Sequence, residues 1–353
     1  MTDGRGGTRP LRVAVCTTQV PFERGGAEIL VDSLVAALRE RGHEADAVTL
    51  PFKWYPSVDL LQGALAWRML DLTEANGRPI DVVVATKFPA YLVRHPRKVV
   101  WLFHQFRQAY ELHGTALAQF ADDAEGVAMR EAIREMDTLA FAEARGVFTI
   151  SQNVTDRLRR FNDVHSTVLR PPPQRLGLSW LGDDGYVLSV GRLDAAKRND
   201  LLLRAAAQAP GVEVVVVGEG PERAPLEALA AELGLGGRVR FTGRVGEQEL
   251  EGLYGRCRAV FYAPFDEDYG FVPIEAHMAG KPVVTTTDAG GPLEFVRDGE
   301  TGLVTAPTPA AVAAGLSRLH ADPDLARRLG AAGAQAGGVL DWDAIVNALL
   351  GAA

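Results

Sequence analysis

Apolar and polar positions along this chain follow one rhythm that runs through the first half and then starts again. Residues 11–17 (LRVAVCT) form a short apolar run, the pattern of a parallel strand buried on both faces. A Gly-Gly turn follows. From Ala27 to Arg41 the residues Ile29, Leu30, Leu34, Ala37 and Leu38 recur at helical spacing, and Gly42 stands where a helix ends in a left-handed residue. The same alternation predicts strands over 45–50, 81–85, 98–103 and 146–150, with helices over 58–72, 125–144 and 154–161.

Residues 170–174 read RPPPQ. Three prolines cannot continue the interior of a sheet or helix, so this stretch is the predicted linker. The rhythm then restarts, with strands expected over 186–190, 213–217, 239–242, 259–263, 282–286 and 302–304. Helices fill the gaps, most clearly over 225–233 and 247–255, and a last amphipathic helix is expected over 341–350. Strands alternating with helices imply doubly wound parallel sheets, hence two Rossmann-like domains with a cleft between them. The predicted division is a flexible tail over 1–10, an N-terminal domain over 11–172 and a C-terminal domain over 173–338. A helix over 339–353 completes the chain and can return to the N-terminal domain. Ligands of such sheets bind beyond the carboxyl ends of the strands, which directs attention to the loops there.

Composition narrows the classes. Of 353 residues, 47% are hydrophobic and 23% charged, the mixture of a globular protein rather than a disordered one. Lys plus Arg (37) against Asp plus Glu (45) leaves −8, which argues against nucleic acid as a partner, since that needs a basic surface. No apolar run reaches the roughly 18–20 residues of a membrane span. The tail lacks the apolar core of a secretion signal. Cys16 and Cys257 are too few for a disulfide framework or a multi-cysteine zinc site. The expected location is the cytoplasm.

Three loops can carry chemistry. In residues 21–28 (PFERGGAE), Gly25 and Gly26 let backbone approach a ligand, and the helix start behind them favours an anion; a plain strand-to-helix turn explains them equally well. In residues 190–197 (VGRLDAAK), Arg192 offers a planar fork and Lys197 a point charge, able to converge on a diphosphate or simply to sit on a solvated face. The third is the most informative. In residues 266–282 (DEDYGFVPIEAHMAGKP), Glu267 precedes a helix and Glu275 lies inside its expected first turn, with Gly270 freeing the backbone. The N–H groups near Phe271 and Val272 would lie between two carboxylates able to grip polyol hydroxyls. Helix-dipole compensation would account for Glu275 alone.

The order of Gly25-Gly26-x-Glu28, VGRLDAAK, VGEGP (217–221) and Glu267-x7-Glu275 resembles the retaining glycosyltransferases of the GT-B fold, family 4, over roughly residues 12–304. The resemblance implies two facing Rossmann-like domains, with acceptor bound by the first and a nucleotide-diphosphate sugar by the second. It assigns Arg192 and Lys197, with Gly25 and Gly26, to the donor diphosphate. Glu267 goes to the donor sugar, Glu275 to the ribose, and the backbone of Gly270, Phe271 and Val272 to sugar or phosphate. Arg244 would lie by the base. His104, in WLFHQF, matches the family's cleft histidine, which contacts the sugar and reacting oxygens. Asp268 and Val272 depart from the family's usual glycine and proline, which bears on sugar preference.

Asp266-Glu267-Asp268 is formally a metal-binding D-x-D, but two cations already serve a diphosphate, so neither metal nor cofactor is expected. Gly218-Glu219-Gly220 lacks the third glycine of a dinucleotide fingerprint, where Arg223 stands. The run RLRRF (157–161) can touch anionic lipid or a diphosphate-linked acceptor, or form a solvated helix face. The acceptor is a polysaccharide, glycolipid or small metabolite. A nucleotide-sugar epimerase of the same fold and a non-catalytic transferase-like partner subunit remain as alternatives.

Overall fold

The computed structural model describes residues 9–173, 175, 177–336 and 341–353. Apart from Arg9 and Pro10, the tail expected over 1–10 lies outside the described residues, and so does the boundary expected at 338. The chain divides into two compact units. One holds the described residues through Pro172 together with 341–353, and the other those from Pro173 to 336.

The first unit runs β1 (Arg12–Gln19), α1 (Gly26–Glu40), β2 (Glu44–Pro51), α2 (Val58–Met69), the short hairpin β3 (Glu74–Ala75) and β4 (Arg78–Pro79), β5 (Val82–Lys87), β6 (Lys98–His104), α3 (Ala124–Ala142), β7 (Gly146–Thr149), α4 (Gln152–Asn162) and β8 (Thr167–Val168). Its parallel sheet has the order β2-β1-β5-β6-β7-β8. All six residues of β5 are buried, which is why a run of valines reads as a continuous apolar stretch. The C-terminal helix, Trp342–Gly351, packs in this unit: Trp342 meets Trp101 of β6 edge-on at 6.2 Å, and Arg41 Nε donates to Asp343 Oδ1 at 2.7 Å.

The second unit runs β9 (Val187–Val190), α5 (Asn199–Gln208), β10 (Val214–Val217), α6 (Arg223–Glu232), β11 (Val239–Gly243), α7 (Glu247–Arg256), β12 (Ala259–Phe261), α8 (Phe271–Met278), β13 (Val283–Thr286), β14 (Gly302–Thr305), α9 (Pro309–Ala321) and α10 (Pro323–Gln335). Its order is β11-β10-β9-β12-β13-β14, all parallel. Two apolar clusters, one around Leu202, Val214 and Phe261 and one around Leu188, Tyr254 and Val283, cover the two faces. Both sheets are Rossmann-like and α/β. Strand order reverses between β1 and β5 in the first and between β9 and β12 in the second, and a ligand crevice belongs beside such a reversal.

Three expectations are corrected here. The helix over 58–72 stops at Met69, because Leu70 turns extended (ψ 130°) and the Asp71 carboxylate takes the Thr73 amide at 2.9 Å. The strand over 259–263 ends at Phe261, since the carbonyls of Ala263 and Pro264 are turned to Arg198. The helix bearing Glu275 begins at Phe271, behind a Gly270 with φ 89°, so Glu275 falls in its second turn and is not placed to compensate the first. Among the described residues no helix is long and apolar enough to cross a membrane.

Candidate functional site

Four loops meet at the carboxyl ends of the strands beside the second reversal. The loop after β9 carries Arg192 and Lys197. The loop after β10 is pressed against it: a Cβ on Gly218 would stand 1.9 Å from the Gly191 oxygen, and one on Gly220 2.2 Å from the Leu193 oxygen. Only glycine permits that approach, which is the physical content of the VGEGP sequence. Backbone bonds from Leu193 N to Glu219 O (2.9 Å) and Glu222 N to Leu193 O (3.0 Å) hold the two loops together. Arg192 is exposed on this framework.

Lys197 and Glu267, 70 residues apart, form an ion pair at the centre of the group. Tyr262, at the end of β12, joins both: Lys197 Nζ donates to its oxygen at 3.3 Å, and its hydroxyl donates to Glu267 Oε2 at 3.2 Å. Burial works against the Lys197 charge, but Glu267 more than offsets it, and its ammonium is held above the usual lysine range. Burial first, and then Glu267, pushes the Tyr262 phenol up. The tyrosine therefore stays a neutral donor. Glu267 is further fixed by backbone: its N–H donates to Ala289 O at 2.8 Å and its carbonyl accepts from Gly291 N at 2.7 Å. The loop after β13, residues 288–294 (DAGGPLE), thus brackets the glutamate. The Asp288 carboxylate in that loop is taken by Arg198.

Glu275 has different partners. It is 2% exposed, is paired with Arg175, and accepts the Tyr254 hydroxyl at 2.8 Å. Arg175 also reaches Glu247 at 2.8 Å. The two glutamates of the E-x7-E spacing therefore belong to two separate hydrogen-bond sets on either side of the start of α8. Gly270 caps that start, with Phe271 first in the helix and Val272 buried after it. Arg244 is exposed in the loop between β11 and α7. His277, on α8, is buried with Nε2 3.2 Å from Thr301 O, and burial lowers its pKa to about 4. It is a packing histidine.

In the first unit, Gly25 caps α1 and its N–H donates to Glu28 Oε2 at 2.9 Å, while Lys87 at the end of β5 donates to Glu28 Oε1 at 2.6 Å. His104, opposite Lys87 in the β5–β6 register, has Nδ1 3.0 Å from Gln105 O. Of RLRRF, Arg157 is buried and paired with Glu111 at 3.4 Å, whereas Arg159 and Arg160 are exposed. Among the described residues no three His, Cys, Asp or Glu side chains are grouped to hold a metal ion. Sequence reasoning missed Arg175, Arg198, Tyr254 and Tyr262.

Two Rossmann-like parallel-sheet domains with a cation–carboxylate cluster beside the strand reversal define an α/β protein of the GT-B fold. Solved structures share it: sucrose-phosphate synthase from Thermosynechococcus elongatus (TM-score 0.78, 22% identity, covering 98% of this chain and 100% of that one) and Anabaena HepE in complex with UDP-glucose (0.69, 19%, 96% and 98%). Residues 175–336 match the family of glycosyl transferases group 1. The chain is similar to the D-inositol 3-phosphate glycosyltransferases of Mycobacterium avium (37% identical over 196 residues, 52% of this chain) and Mycobacterium tuberculosis strain F11 (38% over 144 residues, 38% of this chain). The matched stretches span 45% and 30% of those relatives, less than half of each.

Proposed function

We propose that this chain is a retaining, metal-independent glycosyltransferase that moves a sugar from a nucleotide-diphosphate sugar to an acceptor hydroxyl. The observation that carries the reading is the Lys197–Tyr262–Glu267 cluster beside the strand reversal, inside the stretch that matches glycosyl transferases group 1. An ammonium has three N–H donors, and Glu267 and Tyr262 take two of them, which leaves one for a diphosphate oxygen. Lys197, with Arg192, then stabilises the charge that grows on the departing diphosphate. Glu267 holds donor-sugar hydroxyls with its neutralised carboxylate, next to the amides of Gly270, Phe271 and Val272. Glu275 serves the ribose, Arg244 the base, Gly25 and Gly26 the diphosphate, and His104 the reacting oxygens.

No carboxylate in this scheme attacks the anomeric carbon. The acceptor hydroxyl approaches the face that the diphosphate leaves, and the leaving oxygen takes its proton, so catalysis rests on placement and on charge stabilisation. The names of the relatives and the UDP-glucose complex of HepE support UDP-sugars as donors and a polyol phosphate as the first acceptor to try, ahead of glycolipid or polysaccharide. A cytoplasmic location belongs to the same proposal and agrees with two free, buried cysteines.

The test incubates the protein with UDP-, GDP-, ADP- and dTDP-sugars and inositol phosphate, with and without EDTA, following nucleotide release and the anomeric configuration by proton NMR. Transfer with retention in EDTA is the expected result. Isomerised sugar without acceptor would instead make it an epimerase, and no thermal shift with any nucleotide would make it a non-catalytic partner.

A further inference from the structure

We infer that Arg198 is a positioning residue of the donor site, a clamp that holds the loop bearing Glu267 in place beside Lys197. The inference rests on the glycosyl-transfer reading above.

Arg198 directly follows Lys197 and caps α5 with φ 51° and ψ 43°, a left-handed conformation in which a glycine would sit without strain. Its guanidinium offsets that conformation with contacts to two loops, those after β12 and β13. Nε donates to Ala263 O at 2.7 Å and Nη2 to Pro264 O at 2.9 Å, the last carbonyls before the chain turns toward Glu267. Nη1 and Nη2 grip Asp288 side-on, at 2.8 Å to each carboxylate oxygen, and Nη2 also reaches Thr286 Oγ1 at 2.8 Å. The guanidinium carbon lies 5.9 Å from the centre of the Phe265 ring.

Asp288 is itself tied to the glutamate loop, because its carbonyl accepts from Asp266 N at 2.9 Å, one residue before Glu267. Arg198 thus fixes both sides of the short backbone ladder in which Glu267 sits, while its own backbone continues from Lys197. Nε and both Nη2 hydrogens are spent within the protein and one Nη1 hydrogen is on Asp288, so a single N–H is left. A guanidinium with four of its five N–H groups committed to these loops serves to place them. Lysine could supply the charge but not the planar fork that meets Asp288 and the two carbonyls together.

The test compares wild type, Arg198→Gly, Arg198→Lys and Asp288→Asn in the full chain. Arg198→Gly removes the clamp and accepts the left-handed conformation, which protects folding. Its kcat should fall about 10²-fold, the scale of an ångström of misplacement, while UDP affinity changes by less than about 3-fold. Methylguanidinium added to Arg198→Gly should restore part of kcat, and Arg198→Lys should fall between the two. Amide exchange of residues 263–270 and 286–291 should quicken about 10-fold in Arg198→Gly and in Asp288→Asn, with β9 and β10 unchanged. Unchanged exchange overturns the clamp whatever the protein catalyses. An equal loss of kcat and of UDP affinity overturns it in favour of direct ligand contact. Wild type with no transfer from any donor, but with the exchange pattern as expected, overturns the functional reading and leaves Arg198 as a fold clamp only.

Discussion

Lys87 at the end of β5 and Glu28 in the first turn of α1 meet at 2.6 Å where the strand order of the first sheet reverses. The other Glu28 oxygen takes the Gly25 amide at 2.9 Å, so one carboxylate ties the Gly-Gly turn to the strand end that faces His104. Burial raises the Glu28 pKa, yet Lys87 and the Gly25 amide more than offset that and hold it below the usual range. Glu28→Gln keeps an acceptor for Gly25 but leaves the Lys87 charge buried without its partner. The expected loss is about 3 kcal/mol at pH 7. Because the folded pKa is depressed, the contribution is present above the unfolded value and fades as pH falls through the folded one. Urea unfolding of Glu28→Gln, Lys87→Gln and the double variant checks this. Zero coupling between the two substitutions would remove the pair as a stabilising unit.

Lys197→Ala deletes the cation that both Glu267 and a diphosphate need. Free nucleotide diphosphate should bind more weakly by about 2 to 5 kcal/mol, and Arg192→Ala, at an exposed position, should lose less. Calorimetric titration with UDP reads both. Wild-type affinity in Lys197→Ala would take it out of the diphosphate site.

Much of this was legible because local chemistry decides it. Gly42 ends α1 with φ 84°, and the apolar run at 82–85 became a strand buried on both faces. The unforeseen contacts are those in which sequence neighbours carry no information. Arg175 reaches Glu275 across 100 residues, and Arg198 reaches Asp288 across 90. Tyr254 and Tyr262 read as ordinary core aromatics, and only the fold turns their hydroxyls toward glutamates. The hairpin of Glu74–Ala75 and Arg78–Pro79 is too short to leave a period-two signal.

The two glutamates should separate by role. Glu275→Ala strips Arg175 and Tyr254 of a shared buried acceptor and should cost about 3 to 5 kcal/mol of stability. Glu275→Gln keeps an amide oxygen for Tyr254, so it is the variant for ligand work, and it should weaken binding of free nucleotide and donor alike. Glu267→Gln should bind free nucleotide nearly normally and transfer sugar about 10² to 10³-fold more slowly. If Glu267→Gln transfers at the wild-type rate, or loses nucleotide as badly as Glu275→Gln, separate sugar and ribose duties are wrong.

Asp137 of α3 gives a pH dependence of the opposite sign to that of Glu28. Its side chain is fully buried, with Tyr110 donating to Oδ2 at 2.7 Å and Gln105 at 3.2 Å, and Gln105 also donating to Asn162 Oδ1 at 2.9 Å. Burial lifts the carboxyl from 3.8 to about 7, although the hydrogen bonds from Tyr110 and Gln105 pull it down. The folded chain therefore binds this proton more tightly than the unfolded one. Stability from this group is complete below about pH 4 and is lost as pH rises toward 7, a swing of about 4 kcal/mol at 1.36 kcal/mol per unit. Gln105 directly follows His104, so the same window should loosen the peptide that holds the histidine. Asp137→Asn keeps a polar side chain of the same shape and abolishes the titration. Urea unfolding at pH 5 and pH 8 should show wild type losing stability between the two and Asp137→Asn losing less. The variant should then be the more stable protein at pH 8. A flat difference between the two profiles would mean that Asp137 keeps its charge in the folded core.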